Sequence, residues 1–172
     1  MRSIYAVGAD ELAAWLASLG QPAYRARQVM EAVYRRRATS FADLSSLPRQ
    51  LRQQLAAEFE IGGLPVVGRW DGADSTKLLL RLGDGAAIEC VAMKTRWGQT
   101  ACLSCQVGCA MGCVFCASGA NGVERDLSAE EIIRQAISLE AVAGRITNIV
   151  FMGMGEPLLN YDSVLAAVQV FT

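Results

Sequence analysis

The stretch ITNIVFMGMGEP, Ile146–Pro157, decides the fold. Its apolar run from Ile146 to Met152 is continuous rather than alternating, the pattern of a parallel strand buried on both faces. It runs into a glycine-rich turn, and a helical pattern resumes at Tyr161. Upstream, Ser128 and Glu131 have the spacing of a capping box, which opens a helix through Ile132, Ile133, Ala136, Ile137 and Leu139. Helix, strand, glycine-rich loop and helix in succession are how a (β/α) barrel begins. Barrels of this kind carry their chemistry at the C-terminal ends of the strands. The predicted class is therefore α/β.

Just before that helix lies CQVGCAMGCVFC, Cys105–Cys116, which holds four of the six cysteines and neither a charge nor a histidine. No basic, apolar leader precedes the domain, so a reducing, cytoplasmic setting is expected, where closely spaced thiols serve metal or redox chemistry. Cys109, Cys113 and Cys116 form C-x3-C-x2-C, three soft donors for three corners of an iron–sulfur cube, with Gly112 letting the loop wrap it. One iron is then left open. Such an iron can chelate the amino and carboxylate groups of S-adenosylmethionine (SAM). Zinc is the alternative, with Cys105 as a fourth ligand. The absence of histidine removes mixed Cys/His sites and an imidazole base.

Outward towards the N-terminus, TKLLLRLGDGAAIECVAMK reads as two strands around an Asp84–Gly85 turn. Ile88, Cys90 and Ala92 share one face, and Glu89, Val91 and Met93 the other, so Cys90 reads as core and Glu89 as a carboxylate on a largely apolar face. Three short helices precede this: one capped by Asp10 and stopped by Gly20, one opened by Pro22, and one carrying Leu51, Leu55 and Phe59. The expected divisions are 1–61, a helical accessory domain; 62–99, a small β segment; and 100–172, the start of a barrel with the cysteine loop.

The 172 residues are 52% hydrophobic with a net charge of −1, a globular composition. No window reaches the ~18 apolar residues of a membrane span, so no membrane partner is expected. Between Gln21 and Gln54, seven arginines (Arg25, Arg27, Arg35, Arg36, Arg37, Arg49 and Arg52) face only Glu31 and Asp43. That cluster is either a polyanion footprint or a solvated helix face. Arg125 reads as a surface charge, and Met152 and Met154 as packing.

C-x3-C-x2-C with an aromatic, Phe115, before the last cysteine resembles the radical-SAM signature. CLSCQVGCAMGCVFCASG, DLSAEEIIRQ, NIVFMGMGEPLLNYDSV and AIECV are together similar to the radical-SAM adenine methyltransferases of RlmN type. YRARQVMEAVY and FADLSSLPRQLRQQL resemble the same family's accessory domain. The resemblance implies a 4Fe-4S cluster on Cys109, Cys113 and Cys116, with SAM beside Phe115 and bound at Gly155 and Glu156. It also implies action on carbon 2 of an adenine in 23S rRNA and tRNA. Carbon 2 lies between two ring nitrogens and is too electron-poor to attack a methyl group, so the family proceeds by a radical and a methyl-cysteine. Cys102 matches the cysteine that takes the proton and resolves the enzyme–RNA adduct, and Glu89 the residue usually assigned as proton acceptor, so the two roles overlap and either residue takes the proton. Cys105 stands where the family commonly has serine, and either packs or pairs with Cys102. An external, flavodoxin-like electron donor and a monomeric state are further expectations.

Against that family the chain reads as truncated at Thr172, with the methyl-carrying cysteine beyond it and with little activity or stability of its own. Two alternatives stay open from sequence: another radical-SAM enzyme, including the sister group acting on carbon 8, and a non-catalytic RNA- or zinc-binding module.

Overall fold

A computed structural model describes residues 1–171, which form two compact units, Met1–Gly62 and Gly63–Val170. In the first unit, strand β1 (Arg2–Ser3) precedes helix α1 (Ala9–Ser18), which buries Leu12 and Leu16. The cap is Gly8, not Asp10; Asp10 and Glu11 fall in the first turn, where carboxylates complement the helix dipole. Gly20, at φ +69, ends the helix as its position predicts. Helix α2 starts at Tyr24, beyond Pro22, runs to Met30 and widens into a π turn over Glu31–Arg35. Helix α3 (Arg49–Glu58) buries Leu51 and Leu55 and leads into β2 (Phe59–Glu60), which pairs in parallel with β1. The Phe59 ring meets Trp15 edge-on at 5.0 Å.

The second unit is built on a five-stranded sheet: β3 (Val66–Asp71), β4 (Ser75–Arg81), β5 (Ala87–Thr95), β6 (Gly98–Cys102) and, after a crossover, β9 (Asn148–Val150). The hairpin of β4 and β5 turns at Asp84–Gly85, as the sequence predicts, with Gly85 at φ +93. Strands β3 and β6 were not expected. β3 is an edge strand and mostly exposed, and GQTAC in β6 has too few apolar residues for a periodic signal. Five residue pairs from Val91↔Cys102 to Thr95↔Gly98 join β5 to β6, so no structural break separates 62–99 from 100–172. β9 pairs in parallel with β6. It is three residues long and half-exposed rather than buried on both faces, because it is the last strand in the sheet's order.

Helix α4 (Ala129–Ala143) starts at Ser128 with the predicted capping box and packs on β4, β5 and β6. Its Ile132, Ile133, Ala136 and Leu139 are buried, as are Leu78, Leu80, Ile88, Cys90, Ala92 and Ala101 of the sheet. At about 25 cal/mol per Å2, this apolar burial is the main stabilising term of the unit. The opposite face, with Lys77, Leu79, Glu89, Val91, Met93 and Cys102, remains half-exposed. A separate hairpin, β7 (Gln106–Gly108) and β8 (Val123–Asp126), frames the cysteine loop, and helix α5 (Tyr161–Phe171) follows the glycine-rich loop. No helix among the described residues is long and apolar enough to cross a membrane.

Candidate functional site

Because β6 and β9 are parallel, their C-terminal ends release two segments on the same side, residues 103–106 and 151–160. Backbone bonds join them: Leu103 N–H donates to Val150 O (2.9 Å), Gly153 N–H to Leu103 O (3.1 Å) and Cys105 N–H to Met154 O (2.9 Å). Buried polar side chains complete the seam. Ser104 Oγ donates to Glu89 O (2.6 Å) and accepts from Met154 N–H (2.8 Å). Gln135 of α4 clamps Ser104 from both sides: its Oε1 accepts the backbone N–H and its Nε2 donates to the carbonyl, each at 2.9 Å. Gln106 Oε1 accepts from Glu156 N–H (3.0 Å), and Asn160 Nδ2 donates to Cys105 O (2.7 Å) and Leu127 O (2.8 Å). Four polar side chains are thus spent inside the protein, three joining the loop and Gln135 bracing Ser104, each satisfied as burial requires.

Two glycines make the seam possible. A β-carbon at Gly153 would lie 2.8 Å from Leu103 O, and one at Gly155, already at φ +98, 2.6 Å from Gln106 Cβ. The Glu156 carboxylate accepts from Leu158 N–H (3.1 Å), which orients it at the loop's end. Met154 is half-buried in the loop, whereas Met152 is 79% exposed. The packing role expected of Met152 is therefore wrong: residues beyond the short β9 leave the sheet.

The cysteine loop is built differently. Cys109 N–H donates to Gly122 O (3.0 Å) at its base, where Gly108, at φ +78, leaves room that a β-carbon would fill with a collision against the Gly122 carbonyl. Beyond that base Cys113 and Cys116 are exposed and Cys109 is half-buried. Met111, Val114 and Phe115 are exposed around them, Phe115 to 90%. Bonds from the Ser118 backbone and side chain hold the Cys116 thiol below its ordinary range, which favours the thiolate that binds metal.

The other three cysteines are also free thiols, in other settings. Burial pushes Cys90 up to about 12, with Cys102 and Glu89 adding to it. Burial likewise pushes Cys105 up to about 11, assisted by Glu156, Cys109 and Asp126. Its sulfur faces the Met154 carbonyl at 3.7 Å, which accounts for it as a packed residue. Cys102 is half-buried and raised by burial, against a bond from Met152. It lies opposite Val91, on the same sheet face as Glu89.

No three Cys, Asp or Glu side chains among the described residues converge on one point as they would around a single ion. A four-iron cube takes one thiolate at each of several corners, so its ligands stand apart. Three uncrowded thiols on a glycine-hinged loop, with no cation or carboxylate interposed in the sequence, fit that group better than a four-donor zinc site using the buried Cys105.

Arg125 is not a free surface charge. It bonds Glu131 (2.8 Å) and Asp84 (2.7 Å), tying β8 to α4 and to the β4–β5 turn; both bonds raise its pKa, and the one to Asp84 holds that carboxyl below its usual range. In the first unit, Arg25 donates to Ser46 O and Arg52 to Ala42 O, so both serve the fold. Arg36 pairs with Glu31 (2.9 Å). Arg27 and Arg35 line a cavity of about 290 Å3 with Met30, Glu31 and Tyr34, beside the π turn. Ser104, Gln106, Gln135 and Asn160 carried no signal in the sequence, since each is a common polar residue whose partners lie far away in the chain.

Two family models match. Residues 4–61 match the ribosomal RNA large subunit methyltransferase N-terminal domain, and residues 103–170 match the radical SAM superfamily. Along nearly its whole length the chain is similar to RlmN proteins. A probable dual-specificity RNA methyltransferase RlmN of Moorella thermoacetica is 48% identical over 94% of this chain and 49% of its own length. The corresponding protein of Geobacillus kaustophilus is 42% identical, over 98% and 47%. A crystal structure of a radical SAM methyltransferase from Sphaerobacter thermophilus superposes with a TM-score of 0.85 at 39% identity, covering 99% of this chain and 52% of that one. The chain spans about half the length of the curated RlmN relatives it matches. RlmN proteins are enzymes of the radical SAM superfamily, which in general uses a 4Fe-4S cluster and SAM.

Proposed function

We propose that this chain serves the methylation of carbon 2 of an adenine in 23S rRNA and tRNA, supplying the cluster loop and part of the SAM site for that reaction. The observation that carries the reading is the parallel pairing of β6 with β9. It sends the route to the cysteine loop and the GMGEP loop out of the same end of the sheet. Cys109, Cys113 and Cys116 hold the cluster. With SAM bound, that group supplies an adenosyl radical able to start chemistry at an electron-poor ring carbon.

The chain's own residues do the rest. The Gly153–Gly155 turn lets backbone approach SAM closely, and the Glu156 carboxylate, held by Leu158 N–H on a backbone that Gln106 anchors, pairs with its ammonium. Phe115, exposed beside Cys116, covers the ligand's apolar side. Glu89 accepts a proton and Cys102 resolves the bond between enzyme and RNA; both stand on the open sheet face. Arg27 and Arg35 offer guanidinium groups to phosphate in the first unit, while the methyl-carrying cysteine belongs to the part of the relatives that this chain does not span. A flavodoxin-like donor provides electrons to a monomer in the cytoplasm.

The test is product analysis with the chain extended to its relatives' full length. The extended protein should form 2-methyladenosine, and Cys102→Ala should stall with enzyme covalently attached to RNA. Methylation at carbon 8, or free RNA product from Cys102→Ala, would overturn the assignment.

A further inference from the structure

The open face of the sheet carries a row of side chains that neither loop uses. Trp70 on β3 stands opposite Lys77 on β4, and Lys77 opposite Val91 on β5. Glu89 follows on the same face two residues from Val91, and Cys102 on β6 lies opposite Val91. Lys77 Nζ is 2.9 Å from Glu89 Oε1 and 4.9 Å from the centre of the Trp70 ring. One ammonium therefore has an aromatic face on one side and the carboxylate on the other.

An exposed ion pair alone contributes little, and these two side chains are 40% and 46% exposed. What sets this pair apart is the backbone beneath it. The β3–β4 register shifts between Val66 and Gly68, a bulge of the kind that re-aims side chains, and it puts Gly68 and Trp70 on the Lys77 face. A β-carbon at Gly68 would lie 2.6 Å from Trp70 Cη2 and 3.3 Å from Leu79 Cβ. The indole lies down in the space the glycine leaves, and its face meets the ammonium. Bulge, glycine, ring and cation all act on the position of one carboxylate.

We propose that Lys77, held by Trp70 over Gly68, is a positioning residue for Glu89. This rests on the reading of Glu89 as proton acceptor. The ammonium fixes the carboxylate through Oε1, so that the group stays on the open face near Cys102 rather than sampling its free rotamers. Such restraint matters because a misplaced acceptor loses rate without losing affinity.

Two experiments test it. In this chain, the ε-methylene protons of Lys77 should resonate upfield of those of Lys94, the only other lysine, and return to its position in Trp70→Leu. Equal shifts for the two lysines would overturn the proposal. In the chain extended to its relatives' length, Lys77→Met should lower kcat about ten-fold or more with KM for RNA nearly unchanged and SAM cleavage retained. Lys77→Arg should recover most of the loss. If Glu89→Gln is inactive while Lys77→Met is as active as wild type, the positioning role is wrong and the reading of Glu89 stands. If Glu89→Gln is fully active, the reading itself fails. Loss of SAM cleavage in Lys77→Met would show a merely structural role and overturn the proposal.

Discussion

The glycine-rich loop after β9 and the cysteine loop between β7 and β8 differ in what holds them. The first is sewn to residues 103–106 by Ser104, Gln106 and Asn160, all buried, with Gln135 holding Ser104 from α4, and its glycines sit where no other residue fits. The second has backbone bonds at its base and exposed thiols at its tip. A loop that must meet a ligand in a fixed geometry is built from the protein's own hydrogen bonds. On the proposed function the second loop wraps an inorganic group, so its donors stay uncovered and it would take its final order from the metal.

Substitution should separate the two loops sharply. Gly155→Val meets both a φ of +98 and the Gln106 side chain, and should cost about 3 kcal/mol or more, read as a fall in the thermal midpoint. Ser104→Ala removes the acceptor for Met154 N–H and the donor to Glu89 O, and should cost about 2 kcal/mol, with faster exchange at the Met154 amide. Gly112→Ala, at φ +59 in open space, should cost only about 1 kcal/mol. A Gly112 variant as damaging as the Gly155 one would show that the cysteine loop is as tightly built as its neighbour.

Thiol chemistry sharpens the same contrast. Cys116 is held below its usual range and exposed, so it should alkylate readily near neutral pH in the metal-free chain. Cys105, pushed up to about 11 and buried, should resist until alkaline pH. Because folding raises the Cys90 and Cys105 values, both favour the folded state while they are protonated. That contribution is present below the unfolded thiol range and lost as pH climbs towards their folded values, so stability should decline on the alkaline side. Mass-mapped alkylation across pH, with melting at each pH, checks both statements.

Much of this architecture was legible because its signals are local. Ser128 and Glu131, the Asp84–Gly85 turn and the Gly20 stop each need only a few neighbouring residues to declare themselves. β3, β6, β7 and β8 were not legible: they are short, and their stability comes from partners rather than from period or propensity. The cysteine spacing was visible, whereas the seam was not, since Ser104 finds Met154 and Gln135 only after folding brings distant segments together. Lys77 is a similar case. Nothing in TKLLLRLGDG marks it until the register sets it between Trp70 and Glu89.

The central claim is that Cys109, Cys113 and Cys116 carry a cluster with one iron left open for SAM. Anaerobic reconstitution of this 172-residue chain with iron and sulfide tests it most directly, read by metal and acid-labile sulfide content and by the electron paramagnetic spectrum of the reduced protein. A brown protein whose spectrum changes on adding SAM is the predicted result, retained in Cys105→Ala and lost in Cys113→Ala. Zinc in place of iron, or a full cluster in Cys113→Ala, would contradict it.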